Sequence, residues 1–173
     1  MTKRDNPLRI NVGFLVKANA GYSRTIEFDV GQMVLSNDLT VNDLRGAARF
    51  GRTPQGLVVE VALSGRTNAE CARCLDQFEL PVATEFTELY AFDERSMTDS
   101  QLLVPANHQI DLAPLAREYL LLDEPITPLC RPDCKGLCPV CGANWNREQC
   151  AHQDQPPADL RIPSPKDLID PKD

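Results

Sequence analysis

Between Cys130 and His152 the chain places five of its seven cysteines and one of its two histidines: Cys130, Cys134, Cys138, Cys141, Cys150 and His152. The other two cysteines stand far upstream, as Cys71-Ala-Arg-Cys74. Thiolates two or three residues apart, on turns rich in Gly and Pro, are what a tetrahedral zinc ion requires. Seven cysteines and one histidine supply enough ligands for two complete sites. One partition joins Cys71 and Cys74 to Cys130 and Cys134, and leaves Cys138, Cys141, Cys150 and His152 as the second set. A local alternative takes Cys130, Cys134, Cys138 and Cys141 together, with Cys71 and Cys74 left without metal or sharing His152. The first is favoured because it leaves no ligand over; spacing alone does not decide between them.

Either way each site is closed, with four protein ligands, whereas a catalytic zinc keeps a position for water. Arg73, Arg131 and Lys135 lie beside the cysteines and could offset the negative charge of a metal–thiolate centre, or simply be solvated. Gly136 and Gly142 allow the positive φ that such turns use. The zinc-deaminase pattern, His-Glu-x-x-His, the phosphate loop and Gly-x-Ser-x-Gly are all missing. His108 stands alone in a polar stretch and reads as ordinary surface. A thiol-redox reading of Cys71 and Cys74 is weaker, because a strand and not a helix is expected after them.

The elements that must position these residues are mostly strands. Leu8, Ile10, Val12, Phe14 and Val16 alternate with largely polar neighbours and predict a first strand. Asn19-Ala-Gly21 offers a turn, and Ile26, Phe28 and Val30 predict a second strand. A third extends from Leu39 and Val41 toward Phe50, after an ambiguous stretch. Gly51–Gly56 is a turn signal, and Leu57, Val59, Val61 and Leu63 give a strand paired with the one before it. That strand runs toward Cys71, so the first cysteine pair falls on a hairpin knuckle. Phe78, Leu80, Val82, Phe86, Tyr90 and Phe92 then share one face, with Glu88 as a charged exception. Pro81 cannot donate to a ladder and places this strand at its start or at a sheet edge. Residues 93–109 read as a polar loop. Asp111 is expected as the N-cap of a helix carrying Leu112, Leu115, Ala116, Tyr119, Leu120 and Leu122, ending before Pro125 and packing on the sheet.

The predicted fold class is α+β: an antiparallel sheet, curled toward a barrel, with one packed helix and a C-terminal zinc-ribbon or knuckle-like cysteine region. The corresponding division is 1–124, 125–152 and a flexible acidic tail, 153–173. The chain carries a formal charge of −7. Ten Lys/Arg face seven Asp/Glu in residues 1–74, and eight face eighteen thereafter. A bulk nucleic-acid binder is usually basic, so RNA contact must be local. Arg45, Arg49, Arg52, Arg66 and Arg73 are the candidates for it, if they share a face. The polar N-terminus lacks a signal-peptide core and no apolar run is long enough to span a membrane, which leads to the expectation of a cytoplasmic protein. In a reducing compartment, close cysteines are metal ligands sooner than disulfides.

The ordered set of Cys71-Ala-Arg-Cys74-Leu, Phe78, the acidic strand to Tyr90, Ile110-Asp-Leu and Leu129-Cys-x3-Cys-Lys-Gly-Leu-Cys-Pro-Val-Cys-Gly-x-Asn-x-Asn resembles the YceD family over about residues 8–150. The resemblance implies a non-enzymatic, zinc-binding factor in large ribosomal subunit biogenesis that supports accumulation of 23S rRNA. Its implied partner is ribosomal RNA or a large-subunit precursor, reached directly or through a ribosomal protein, with no small-molecule substrate. Many similar chains carry a cysteine where this one has His152. The rival readings are a thiol redox protein using Cys71 and Cys74, and a zinc-ribbon nucleic-acid-binding module, against which the acidic balance argues.

Overall fold

A computed structural model of the protein describes residues 6–152. The predicted tail, 153–173, lies outside them. Four long strands form an antiparallel meander: β2 (Ser23–Ser36), β3 (Leu39–Arg52), β4 (Gly56–Glu70) and β5 (Gln77–Ala91), in that spatial order. A separate two-stranded pair joins β1 (Arg9–Asn11) to β6 (Gln109–Asp111). A single helical turn, α1 (Gly13–Val16), follows β1, and one longer helix, α2 (Ala113–Asp123), follows β6.

Alternation decides the two faces of the sheet. Leu57, Val59, Val61 and Leu63 of β4 are buried, as are Val41, Leu44, Ala48 and Phe50 of β3 and Phe86 and Tyr90 of β5. They form one core with Leu8, Val12, Leu15, Ile110, Leu112, Ala116 and Leu120. The sheet is open. Among the described strands, β2 and β5 do not pair, so the predicted curl toward a barrel does not close. The reason lies in α2, which packs against both β5 and β2 and fills the concave face that strand pairing would otherwise have to seal. Phe86 and Tyr119 stack across this contact with ring centres 4.4 Å apart. The Tyr119 hydroxyl donates to Glu88 at 2.6 Å, and Ser100 donates to the other carboxylate oxygen at 2.6 Å. The inward Glu88 therefore has its partners supplied from the helix and the loop.

Three local expectations are corrected. The alternation from Leu8 to Val16 breaks after Asn11, whose side-chain oxygen accepts the Gly13 amide at 2.9 Å and starts a helical turn. Leu15 is thereby buried, and Phe14 is 39% exposed. The stretch 93–109 is not featureless: it holds a 3-10 turn at Glu94–Ser96, a bridge from Leu103 to Ala91, and the start of β6. Asp111 closes β6, so Leu112 occupies the N-cap; Asp111 still accepts the Ala113 amide at 3.0 Å. The helix does end before Pro125, although Leu122 points outward and is 71% exposed. Pro81 sits on β5, an edge strand.

Candidate metal centres

The β4–β5 connection is the knuckle Cys71–Asp76. Its turn closes through the Leu75 amide to the Cys71 carbonyl and the Cys71 amide to the Asp76 carbonyl, both 2.9 Å. The segment after α2 returns alongside, and the Ala72 amide donates to Pro128 at 2.8 Å. This return places Cys130 and Cys134 beside the knuckle. The Cys71 and Cys134 sulfurs stand 3.7 Å apart, as do those of Cys74 and Cys130. All four lie within 4.8 Å of one another. Ligands held about 2.3 Å from a tetrahedral zinc would be about 3.8 Å apart, and a disulfide would need about 2.05 Å. All seven cysteines are free.

The second group is Cys138, Cys141, Cys150 and His152, again with ligand atoms within 4.8 Å. Its knuckle is pinned by the Cys138 amide to Ala143 and the Gly142 amide to Cys138, at 2.8 and 2.9 Å. The Trp145 indole N–H donates to the Cys150 sulfur at 3.2 Å. His152 Nδ1 is buried without a hydrogen-bond partner. Such an orphan is costly unless something bonds it, and a metal ion would. The local quartet weighed from the sequence is divided between the two groups: Cys130 and Cys134 go to one, Cys138 and Cys141 to the other.

Electrostatics follows from crowding. Burial pushes the Cys71 thiol up, but the amides of Cys130, Cys74 and Arg73, together with the Cys74 thiol, bring it down to about 6. At Cys74 the Asp76 amide favours the thiolate, yet burial and the sulfurs of Cys71, Cys134 and Cys130 outweigh it and push the thiol up to about 12. Burial also opposes ionisation of Cys138, and the amides of Cys141 and Val140 with two neighbouring thiols bring it down to about 7. Each group thus favours one thiolate and resists the next. A divalent cation removes that resistance, because it makes every added thiolate attractive. The donor set of both groups fits zinc.

Sequence reasoning missed the side chains that tie the two groups together. Asn146 donates to the Cys134 sulfur at 3.3 Å, while its carbonyl oxygen accepts the Lys135 amide at 2.9 Å and Arg131 at 2.7 Å. Asn144 and Arg147 both donate to Asp76, at 3.2 and 2.8 Å. The signal was the Asn-x-Asn spacing just after the last Cys-x-x-Cys. Arg73 caps the Cys134 carbonyl at 2.9 Å. Gly136, with φ of 78°, lies so close to Arg73 that a Cβ would come within 3.1 Å of its carbonyl oxygen. The residue after Cys74 begins the approach to β5 and not to a helix.

The five candidate arginines do not converge. Arg45, Arg49 and Arg66 share the outer face of the sheet, where each pairs with a carboxylate: Asp29, Glu60 and Glu79 respectively. Arg52 points to the other face, against Phe92, and Arg73 belongs to the knuckle. His108, with φ of 53°, is partly exposed and ties the chain through its backbone, accepting the Val12 amide at 2.8 Å.

Fold and site together define a class: an open-sheet α+β protein carrying, at one end of its sheet, two four-ligand groups able to hold metal. Residues 59–168 match the family described as large ribosomal RNA subunit accumulation protein YceD, and the chain belongs to that family. The match begins in β4, so it omits the first strands that the sequence resemblance included. The chain is 38% identical over 99 residues to an uncharacterized protein of Mycobacterium tuberculosis, covering 54% of this chain and 47% of that one. It is 41% identical over 49 residues to a Zea mays protein named large ribosomal RNA subunit accumulation protein YCED homolog 1, chloroplastic, covering 28% and 17%. A protein of the same name from Arabidopsis thaliana is 39% identical over 46 residues, covering 27% and 14%. The chain spans about half the length of the mycobacterial relative it matches. No solved structure matches it. Among the described residues, no helix is long and apolar enough to cross a membrane.

Proposed function

We propose that this protein is a non-enzymatic, zinc-stabilised factor that supports accumulation of the large ribosomal subunit RNA in the cytoplasm, by binding that RNA or a precursor particle. The family description motivates the ribosomal role. The observation that carries the non-catalytic part is that each group supplies four protein ligands, the first mostly buried and the second with Cys138 buried and Cys141 exposed. A zinc ion with four such ligands has no vacant position for water or substrate and acts as a cross-link. Zinc at Cys71, Cys74, Cys130 and Cys134 would fasten the post-helix segment to the β4–β5 knuckle. Zinc at Cys138, Cys141, Cys150 and His152 would fold the knuckle that follows.

Depletion in the native host, followed by rRNA quantification and gradient sedimentation, tests this reading. Reduced 23S rRNA relative to 16S is expected, with the protein travelling with large-subunit precursors. Unchanged rRNA ratios and an absence from those fractions would reject it. Thiol–disulfide exchange activity lost with Cys71→Ser would favour the redox reading instead.

A further inference from the structure

Most described arginines have a carboxylate partner: Arg45, Arg49 and Arg66 on the outer face, and Arg9, Arg117 and Arg147 elsewhere. Arg73 and Lys135, beside the metal groups, make no ion pair among the described residues, and neither do four others, Lys17, Arg24, Arg52 and Arg95. All four belong to segments that meet at one end of the sheet. Arg52 ends β3 and is bound to the preceding turn, its amide donating to Tyr22 at 2.8 Å and its carbonyl accepting Gly21 at 2.7 Å. Arg24 lies opposite Phe50, so it is the diagonal neighbour of Arg52. Phe92 joins through its amide to Gln55 at 3.0 Å, and Arg95 follows it in the 3-10 turn. Lys17 caps the helical turn that carries Phe14, three positions away and on the same side.

These cations are interleaved with aromatic rings. The Arg24 guanidinium lies 4.9 Å from the centre of the Phe14 ring, and that of Arg52 lies 4.1 Å from Phe92. Tyr22 stands beside them, 48% exposed. Nε and Nη1 of Arg52 are buried and have no hydrogen-bond partner. The nearby carboxylate of Asp93 is turned to the Arg95 and Ser96 amides at 3.0 Å, and Glu94 lies exposed on the rim.

We propose that this end of the sheet holds single-stranded RNA, with phosphates on Arg24, Arg52, Arg95 and Lys17 and bases stacked on Tyr22 and Phe14. The choice of RNA rests on the ribosomal reading above. Guanidinium forks suit phosphate, and exposed rings offer the sequence-tolerant stacking that single strands use. On a chain of net charge −7, four of the six described cations without an ion pair belong to this end of the sheet, the other two, Arg73 and Lys135, standing beside the metal groups. The opposite end of β4 carries the metal groups, roughly 45 Å away at about 3.3 Å per residue. RNA contact and metal binding are therefore separable by mutation.

The test is fluorescence anisotropy of a short labelled oligouridylate with the full-length, zinc-loaded protein. Arg24→Ala with Arg95→Ala should weaken binding about tenfold or more and make the log–log salt slope shallower by about 1.4. Tyr22→Ala should cost about fivefold to a hundredfold with the slope retained. Arg49→Ala, on the outer face, should change little. Circular dichroism and zinc content should match wild type in each variant. No binding by the wild type, or equal binding by the folded double variant, overturns the proposal. If the wild type ignores the oligonucleotide but precursor association is lost in the double variant, the occupant is a protein and the proposal also fails. Sedimentation separates this inference from its premise. Wild type and double variant both travelling with precursors would sink the surface and leave the ribosomal reading standing. Oligonucleotide binding through this end without precursor association would do the reverse.

Discussion

Cys74→Ser probes the cross-link between sheet and C-terminal region. Cys74 and Cys130 stand 56 positions apart. Pinning a loop of that length restricts the unfolded chain by about 4 kcal/mol at room temperature. The group Cys138–His152 closes a loop of about 15 residues, which on the same scale is about 3 kcal/mol. Small domains have about 5–15 kcal/mol of total stability, so loss of the longer cross-link removes a large share of it. The consequences should be local in a specific way. The β2–β4 core does not depend on the cages and should keep its strand signal. The segment Pro125–Lys135, held to the knuckle by Ala72–Pro128 and Arg73–Cys134 contacts, should come loose. Elemental analysis is expected to give about two zinc ions per chain in the wild type and about one in Cys74→Ser. Limited proteolysis should show new cleavage between Pro125 and Lys135. Cys141→Ser should also lose one zinc but leave that stretch protected. An intact zinc content and unchanged cleavage in Cys74→Ser would refute the shared site. A wild-type ratio near one, with Cys71 and Cys74 freely alkylated, would refute the pairing of distant cysteines altogether.

Asn146→Ala removes a donor to the Cys134 sulfur; zinc affinity should fall about 10–100-fold in a chelator competition while stoichiometry holds, and an unchanged affinity would show that the contact is incidental. Gly136→Ala forces a side chain into a left-handed position against Arg73; a loss of about 1–2 kcal/mol is expected in urea unfolding, and a stable variant would mean the knuckle can shift. Tyr119 is raised to about 12, chiefly by its bond to Glu88 and then by burial, and Tyr90 to about 12 by burial and then Glu88. Raised folded values mean that this stability is whole below about pH 10 and is lost as pH climbs toward 12. Tyr119→Phe should therefore show a shallower decline of the urea midpoint between pH 9 and 11 than wild type, and parallel declines would contradict the assignment.

The period-two pattern placed the core residues of β4 and the inner face of β5, because each strand buries one face and alternation records that burial directly; in β3 it reached only Leu39, Val41 and Phe50, since the irregularity between Asn42 and Arg45 shifts the buried positions from Val41 to Leu44 and Ala48. It also located the cysteine knuckle between β4 and β5, and ligand types with short spacings identified the members of both four-ligand groups as metal candidates. Alternation failed at Leu8–Val16, where the Asn11 side chain captures the Gly13 amide. A side-chain-to-backbone bond of that kind leaves no trace in hydrophobic periodicity. Whether the sheet closes was likewise invisible, since it depends on α2 lying across from β5 to β2. Only the tertiary structure could bring Cys71 within reach of Cys134, 63 positions away. It alone dispersed the five arginines, because neighbours across strands are set by register and not by sequence distance. The β2–β3 register set Arg24 diagonal to Arg52, and the packing of α1 and of the chain after β5 brought Phe14 and Phe92 onto their guanidinium groups.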